Sequence, residues 1–183
     1  MGSAAKSWIV ACVPLALAAA TAAYAQIGNE ARSASPPTFT NPVLLSGPDP
    51  WVIHDRGSYY YMHTMGNRIT LWRTRDITDL AHAEQRVVWT PPVTGPNAHS
   101  IWAPELHRIR GKWYIYYSAT ASGHKDDAHR GVFVLENASR DPMQGEWVDR
   151  GRVNTRRAGI DGTVFEHGGT LYFAYSPYIG PVS

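Results

Sequence analysis

Two aspartates stand at equivalent positions of a sequence repeat, and their side chains are well suited to acid–base chemistry. Three segments of this 183-residue chain fit one template of a strand, a glycine turn and a second strand, with the turn glycines at 57, 111 and 169. Eight residues before these glycines stand Asp49, Ala103 and Asp161. A lone Asp beside Pro or Gly usually belongs to a turn. Two in register indicate a shared carboxylate site.

The repeat also predicts the elements that position these carboxylates. Its glycines are 54 and 58 residues apart, a period that suits one four-stranded blade of a β-propeller. Aromatic and β-branched runs alternate with Gly, Pro and Asp, and no segment has a long apolar stripe of helical period. We therefore predict an all-β propeller. Its innermost strands line one central funnel. Glycoside hydrolysis uses a pair of carboxyl groups in such a site, one to activate water and one to protonate the departing oxygen.

Three motifs carry a family resemblance that covers nearly all of the chain from Asn41 onward. They are Gly47-Pro48-Asp49-Pro50-Trp51-Val52-Ile53, Ile101-Trp102-Ala103-Pro104-Glu105-Leu106-His107 and Gly159-Ile160-Asp161-Gly162. Together they resemble glycoside hydrolase family 43, whose members are inverting, five-bladed propeller enzymes that act on arabinose- and xylose-containing polymers.

The resemblance implies roles for both aspartates. Asp49 corresponds to the general base, which holds the attacking water. Asp161 corresponds to the second aspartate, which tunes the pKa of the general acid and orients it. The stretch from Tyr59 to Trp72 is most similar to the exo-acting α-L-arabinofuranosidases of the family. The implied substrates are arabinan or arabinoxylan of the plant cell wall.

The resemblance further implies a general acid that this sequence lacks. The family's acid is a glutamate of the fourth blade, in a setting like Val-Glu-Gly-Pro, whereas this chain reaches Ser183 within its third blade. Five blades of ~55 residues need about 275 residues, so we expect about three blades here and an amino-terminal fragment. Glu105 lies two residues past the axial position. The family keeps this glutamate besides its acid, so we interpret Glu105 as structural.

The sequence divides into three regions. Residues 1–25 are typical of a secretory signal peptide, with Lys6 before an apolar stretch and Ala23-Tyr24-Ala25 as the cleavage site. Residues 26–40 form a polar leader, and 41–183 form an incomplete propeller domain with blades I to III. The single cysteine, Cys12, lies in the signal peptide, so the mature chain has no disulfide. We expect a secreted or periplasmic protein.

Composition argues against other classes. The net charge is only +2 and the charges are scattered, which excludes a nucleic-acid partner, and no later segment is apolar enough for a membrane span. No cofactor motif occurs. The resemblance implies that family members can hold calcium near the central axis with a histidine of the last blade. We do not expect that blade in this chain, so we assign no metal ligand. The segment 124–129 contains two histidines and two aspartates without the spacing of a known metal motif, and we interpret it as a solvated loop.

Several alternatives remain open. Trp51 and Trp102 flank axial positions, where each either stacks on a furanose ring or packs between blades. The chain is also compatible with a catalytically silent, carbohydrate-binding propeller remnant, or with the β-xylosidase or endo-arabinanase specificities of the family. A weaker alternative is a retaining, fructan-acting propeller in which Asp49 is a nucleophile.

Overall fold

Ten antiparallel strands build the part of the protein that the computed structural model describes, residues 38–124 and 126–180. They form two four-stranded sheets and one two-stranded sheet, all within the unit Thr40–Ser183. The first sheet contains β1 (Trp51–Asp55), β2 (Ser58–Met62), β3 (Ile69–Thr74) and β4 (Glu84–Trp89). The second contains β5 (His99–Ile109), β6 (Lys112–Thr120), β7 (Arg130–Asn137) and β8 (Val148–Arg152). The third contains β9 (Gly159–His167) and β10 (Thr170–Pro177).

This architecture confirms the all-β prediction. In the two larger sheets each strand pairs with its sequence neighbour, as in a propeller blade. The sheet β1–β4 is blade I and the sheet β5–β8 is blade II, each with four strands. The hairpin β9–β10 belongs to blade III. Two short 3₁₀ helices, Ile77–His82 and Asp127–His129, lie in the connections.

The turn glycines of the repeat close the first hairpin of every sheet. Each turn has two central residues, and both have positive φ, as a type I′ turn requires. In the first turn, Arg56 has φ of 50° and Gly57 has φ of 77°. The other two turns are Arg110-Gly111 and Gly168-Gly169. Glycine at the second position removes the steric cost of that conformation, which is why the repeat keeps it.

An apolar core joins blades I and II face to face. Blade I contributes Met62 and Leu71, and blade II contributes Leu106 and Trp113, all four fully buried. Backbone hydrogen bonds support this packing, since Gly66, in the connection from β2 to β3, and Ile101 of β5 exchange two hydrogen bonds of 3.1 Å. Burying a large apolar side chain contributes about 1.5–3 kcal/mol, so this cluster is the main stabilising contact between the two blades.

Strand β9 approaches blade II so closely that a glycine is needed at one point. A Cβ atom on Gly162 would lie 2.5 Å from Cγ1 of Val132 on β7 and 2.8 Å from the Phe173 ring. Both distances are far inside van der Waals contact. Gly162 immediately follows Asp161, so the same close approach fixes where that aspartate sits on the strand.

The outer edge of blade III differs from that of the other blades. Among the described residues no strand pairs with the free edge of β10. Phe165, Leu171 and Tyr172 of this hairpin are 51%, 42% and 45% exposed.

The amino-terminal regions predicted from the sequence lie mostly outside the described residues. Residues 1–37 hold the predicted signal peptide and most of the predicted leader, and they lie outside the described residues. Within the part of the chain that is described, no helix has the length and apolar character that crossing a bilayer requires.

The packing of Gly162 generates a stability prediction. Gly162→Ala should lower the free energy of unfolding by about 1–3 kcal/mol, because its methyl group overpacks the contact with Val132. Urea denaturation of both proteins measures the change. In a Val132→Ala background the same substitution should cost less, because the partner methyl group is gone. Equal unfolding midpoints for Gly162→Ala and the parent chain would contradict the packing.

Candidate active site

The three template positions share an unusual backbone conformation. Asp49, Ala103 and Asp161 have φ of 52°, 43° and 54°, in the left-handed region. Aspartate enters this region more readily than most residues, whereas for alanine the conformation costs roughly 1–2 kcal/mol. In blade II the pairing of β5 with β6 shifts register between Trp102 and Glu105, around this kink. The same local turn therefore recurs just before β1 and within β5 and β9, the first strand of each sheet.

The kinks bring residues of all three sheets to one cavity of about 170 Å³. Its lining residues are Asp49, Pro50, Trp51, Ala103, Glu105 and Asp161. Three of the predicted site residues, Asp49, Trp51 and Asp161, thus meet in one place. The fourth, Trp102, is not among the lining residues. Glu105, interpreted from the sequence as structural, supplies a third carboxyl group to the cavity.

The carboxyl groups of the cavity act on one another electrostatically. Burial raises the pKa of Asp161 above its ordinary value, and the negative charges of Asp49 and Glu105 raise it further. Asp161 therefore binds a proton more readily than a free aspartate side chain does. Its backbone is held in place, since its amide donates a 3.0 Å hydrogen bond to Oγ of Ser118 on β6.

A threonine that sequence reasoning missed orients the Asp49 carboxylate. The Thr64 hydroxyl donates a 2.6 Å hydrogen bond to Oδ2 of Asp49. It also accepts a 2.6 Å bond from the backbone amide of Ala103, and its own amide donates to the Pro48 carbonyl at 2.9 Å. Because the amide of Ala103 occupies the acceptor side of the hydroxyl, the hydroxyl proton points to Asp49. Thr64 thus connects the kinks of blades I and II.

Glu105 and Trp51 belong to a contact network that spans the same two blades. Oε2 of Glu105 lies 3.1 Å from Nε2 of His107, and the His107 ring lies 5.0 Å from that of Trp51. The indole N–H of Trp51 donates a 2.9 Å bond to the Leu106 carbonyl. Trp51 therefore lines the cavity and also packs between blades I and II, and its stacking on a furanose ring stays a prediction.

Trp102 contacts a buried cation instead of the cavity. The Arg130 guanidinium carbon lies 3.3 Å from the centroid of the Trp102 indole, and Arg130 is 1% exposed. The indole itself is 37% exposed. Nε of Arg130 also donates a 2.9 Å bond to Oδ1 of Asp127. Trp102 is thus held at the surface by a cation–π contact.

Comparison with protein families supplies the decisive observation. The model of the glycosyl hydrolases family 43 matches residues 39–180. The chain belongs to glycosyl hydrolase family 43. This membership confirms the resemblance carried by the three sequence motifs.

Two curated relatives of this chain are named as arabinofuranosidases. The chain is 37% identical over 168 residues to an extracellular exo-α-(1→5)-L-arabinofuranosidase of Streptomyces chartreusis, covering 88% of this chain and 50% of the relative. It is 33% identical to α-L-arabinofuranosidase B of Pyricularia oryzae, covering 91% of this chain and 35% of the relative. The chain thus spans half or less of the length of these relatives.

Solved structures agree in fold. An α-L-arabinofuranosidase of Lactobacillus brevis matches with a TM-score of 0.72 and 30% identity, over 79% of this chain and 48% of that protein. An α-L-arabinanase of Cellvibrio cellulosa matches with a TM-score of 0.52 and 22% identity, over 73% of this chain and 45% of that protein. At that lower identity the likeness concerns the fold alone.

The bridging position of Thr64 can be tested by a pair of substitutions. Thr64→Val keeps the shape but leaves the Ala103 amide and the Asp49 carboxylate without the hydroxyl, so it should cost about 1–3 kcal/mol of folding free energy. Thr64→Ser retains the hydroxyl and should lose markedly less. Chemical denaturation compares the two variants. A valine variant as stable as the serine variant would argue against the bridge.

Proposed function

We propose that this chain is the amino-terminal part of a secreted, inverting α-L-arabinofuranosidase. The observation that carries the proposal is the meeting of Asp49, Asp161 and Glu105 in one cavity between the inner strands. Membership of family 43 supports the reaction class. The proposed substrates are arabinan or arabinose-bearing side chains of plant polysaccharides.

In the proposed mechanism Asp49 is the general base. Its Oδ2 already accepts a 2.6 Å hydrogen bond from the Thr64 hydroxyl. Oδ1 is therefore the oxygen that takes the proton from the attacking water. That water attacks the anomeric carbon on the face opposite the departing oxygen, so the configuration inverts. Thr64 fixes the carboxylate plane and lowers the cost of orienting it during the reaction.

Asp161 has a different proposed role from Asp49. Burial and the neighbouring carboxylates raise its pKa, so its environment opposes a further negative charge. A carboxylate in such a setting raises the pKa of a nearby acid in turn and helps keep that acid protonated. We assign Asp161 to this tuning and to orienting the sugar.

The general acid is proposed to lie outside this chain's sequence. Of the acidic residues lining the cavity, Glu105 is the remaining candidate, and its carboxylate is engaged by His107 at 3.1 Å. Protonation of a poor leaving group would then fall to water, and loss of a general acid typically lowers the rate by ~10²–10⁴-fold. We therefore expect this polypeptide alone to hydrolyse natural arabinosides negligibly.

The names of the relatives support an exo mode of action and export. An exo-arabinofuranosidase of Streptomyces chartreusis is 37% identical, whereas a probable endo-arabinosidase of Aspergillus clavatus is 26% identical. The former is named extracellular. Export of this chain through residues 1–25, a leader over residues 26–40 and an incomplete propeller domain over residues 41–183 belong to the same proposal.

The test uses two substrates that differ in leaving group. The protein lacking residues 1–25 is assayed on 2,4-dinitrophenyl α-L-arabinofuranoside, whose phenolate departs without protonation, and on arabinan. Hydrolysis should be measurable on the activated substrate, at background on arabinan, and lost in Asp49→Asn. Asp55→Asn is the matched control, because Asp55 lies at the far end of β1, the strand that follows Asp49, and pairs with Arg108 at 3.0 Å.

The remaining outcomes separate the alternatives. Rapid hydrolysis of arabinan that depends on Asp49 would contradict the proposal that the general acid lies outside this chain. The Glu105→Gln variant would then test whether Glu105 acts as the general acid. A folded protein that cleaves neither substrate but binds arabino-oligosaccharides would favour the silent binding remnant. Release of the product with retained configuration would contradict the inverting mechanism.

A further inference from the structure

A second cluster of chemically active side chains lies outside the cavity, in the connection from β6 to β7. It contains His124, Asp126 and His129, three residues whose side chains could together hold a metal ion. One ligand atom from each lies within 4.8 Å of the others. None of the three residues lines the carboxylate cavity.

We propose that His124, Asp126 and His129 bind a divalent transition-metal ion of the zinc class. Two imidazoles and a carboxylate form a donor set that zinc accepts, with remaining positions for water. Calcium is a poor fit, since it takes oxygen ligands. The proposal concerns this loop alone and does not depend on the proposed hydrolase activity.

Local structure explains why these three side chains meet although their spacing matches no familiar motif. Asp126 immediately precedes the 3₁₀ helix Asp127–His129, and residues three apart eclipse one another in a 3₁₀ turn. Oδ1 of Asp126 accordingly lies 2.6 Å from Nδ1 of His129. The ring of His124 stacks on that of His129, with centroids 3.9 Å apart and planes inclined by 23°.

The distances are compatible with one shared ion after small side-chain rotations. Ligand bonds of about 2.0–2.1 Å in a tetrahedral site place donor atoms roughly 3.3 Å apart. The Asp126–His129 contact of 2.6 Å is shorter than this edge, and all the ligand atoms of the group lie within 4.8 Å of one another. All three side chains can reach solvent, so they can rotate and the ion has an open route of entry.

The backbone that carries the ligands is held at both ends. On one side the His124 amide donates to the Ala121 carbonyl at 3.1 Å, and the Thr120 hydroxyl donates to the His124 carbonyl at 3.0 Å. On the other side buried Arg130 binds Asp127 at 2.9 Å. A bound ion would therefore meet ligands whose main chain is already positioned, which reduces the entropy lost on binding.

The chain contains an internal control for this site. Asp79 and His82 repeat the geometry of the Asp126–His129 pair, with a 2.6 Å contact three residues apart in the other 3₁₀ helix. No second histidine completes a ligand group there among the described residues. The comparison separates a metal site from an ordinary exposed ion pair.

The experiment is a calorimetric titration of the untagged, full chain with ZnCl₂. We expect one saturable site per chain, at least tenfold weaker binding in His124→Gln and in His129→Gln, and unchanged binding in His82→Gln. Zinc should also raise the melting temperature of the parent chain and of His82→Gln, but not that of the two ligand variants.

Two results would overturn the proposal. The first is the absence of saturable zinc binding by the parent chain. The second is binding that survives both His124→Gln and His129→Gln, which would place the ion at other groups of the chain. Equal melting temperatures of all variants without zinc would show that the substitutions leave the fold intact, so that weaker binding reports loss of ligands.

Discussion

The left-handed kink that recurs in or just before the first strand of each sheet is the constraint on which the site depends. A regular strand would send neighbouring side chains to alternate faces of its blade. Positive φ at Asp49, Ala103 and Asp161 instead turns the chain there, and the carboxyl groups of blades I and III meet that of Glu105 from blade II. Strain at Ala103 is offset by local contacts, above all the hydrogen bond from its amide to Thr64. A strained backbone held by its surroundings is characteristic of functional sites.

Gathering acidic groups in one cavity opposes folding. The pKa of Asp161 is raised above its ordinary value of 3.8, so the folded chain binds this proton more tightly than the unfolded chain does. The stabilising contribution of that proton is complete below pH 3.8 and is lost as the pH rises through the folded-state value. At neutral pH the site therefore lowers stability, and the buried interface between blades I and II compensates. Such conflict between stability and site chemistry is common in enzymes.

Much of this arrangement could be predicted from the sequence, because the repeat is written in residue types with strong backbone preferences. The hairpin glycines gave the blade period, and the alignment of Asp49 with Asp161 predicted their meeting. Thr64 could not be found in this way, since a threonine two residues past β2 has no distinguishing signal and its role comes from contacts between blades. The position of Trp102 against Arg130 and the grouping of His124 with His129 likewise depend on tertiary structure.

The most direct test of this account is an NMR pH titration of the Asp161 carboxyl carbon in the parent chain and in Asp49→Asn. The account predicts a pKa above 3.8 in the parent chain, and a lower value in the variant because one neighbouring negative charge has been removed. The value should stay above 3.8 in the variant, since burial remains. Asp55→Asn provides the control and should leave the titration unchanged. An identical Asp161 pKa in the parent chain and Asp49→Asn would contradict the convergence of the two aspartates.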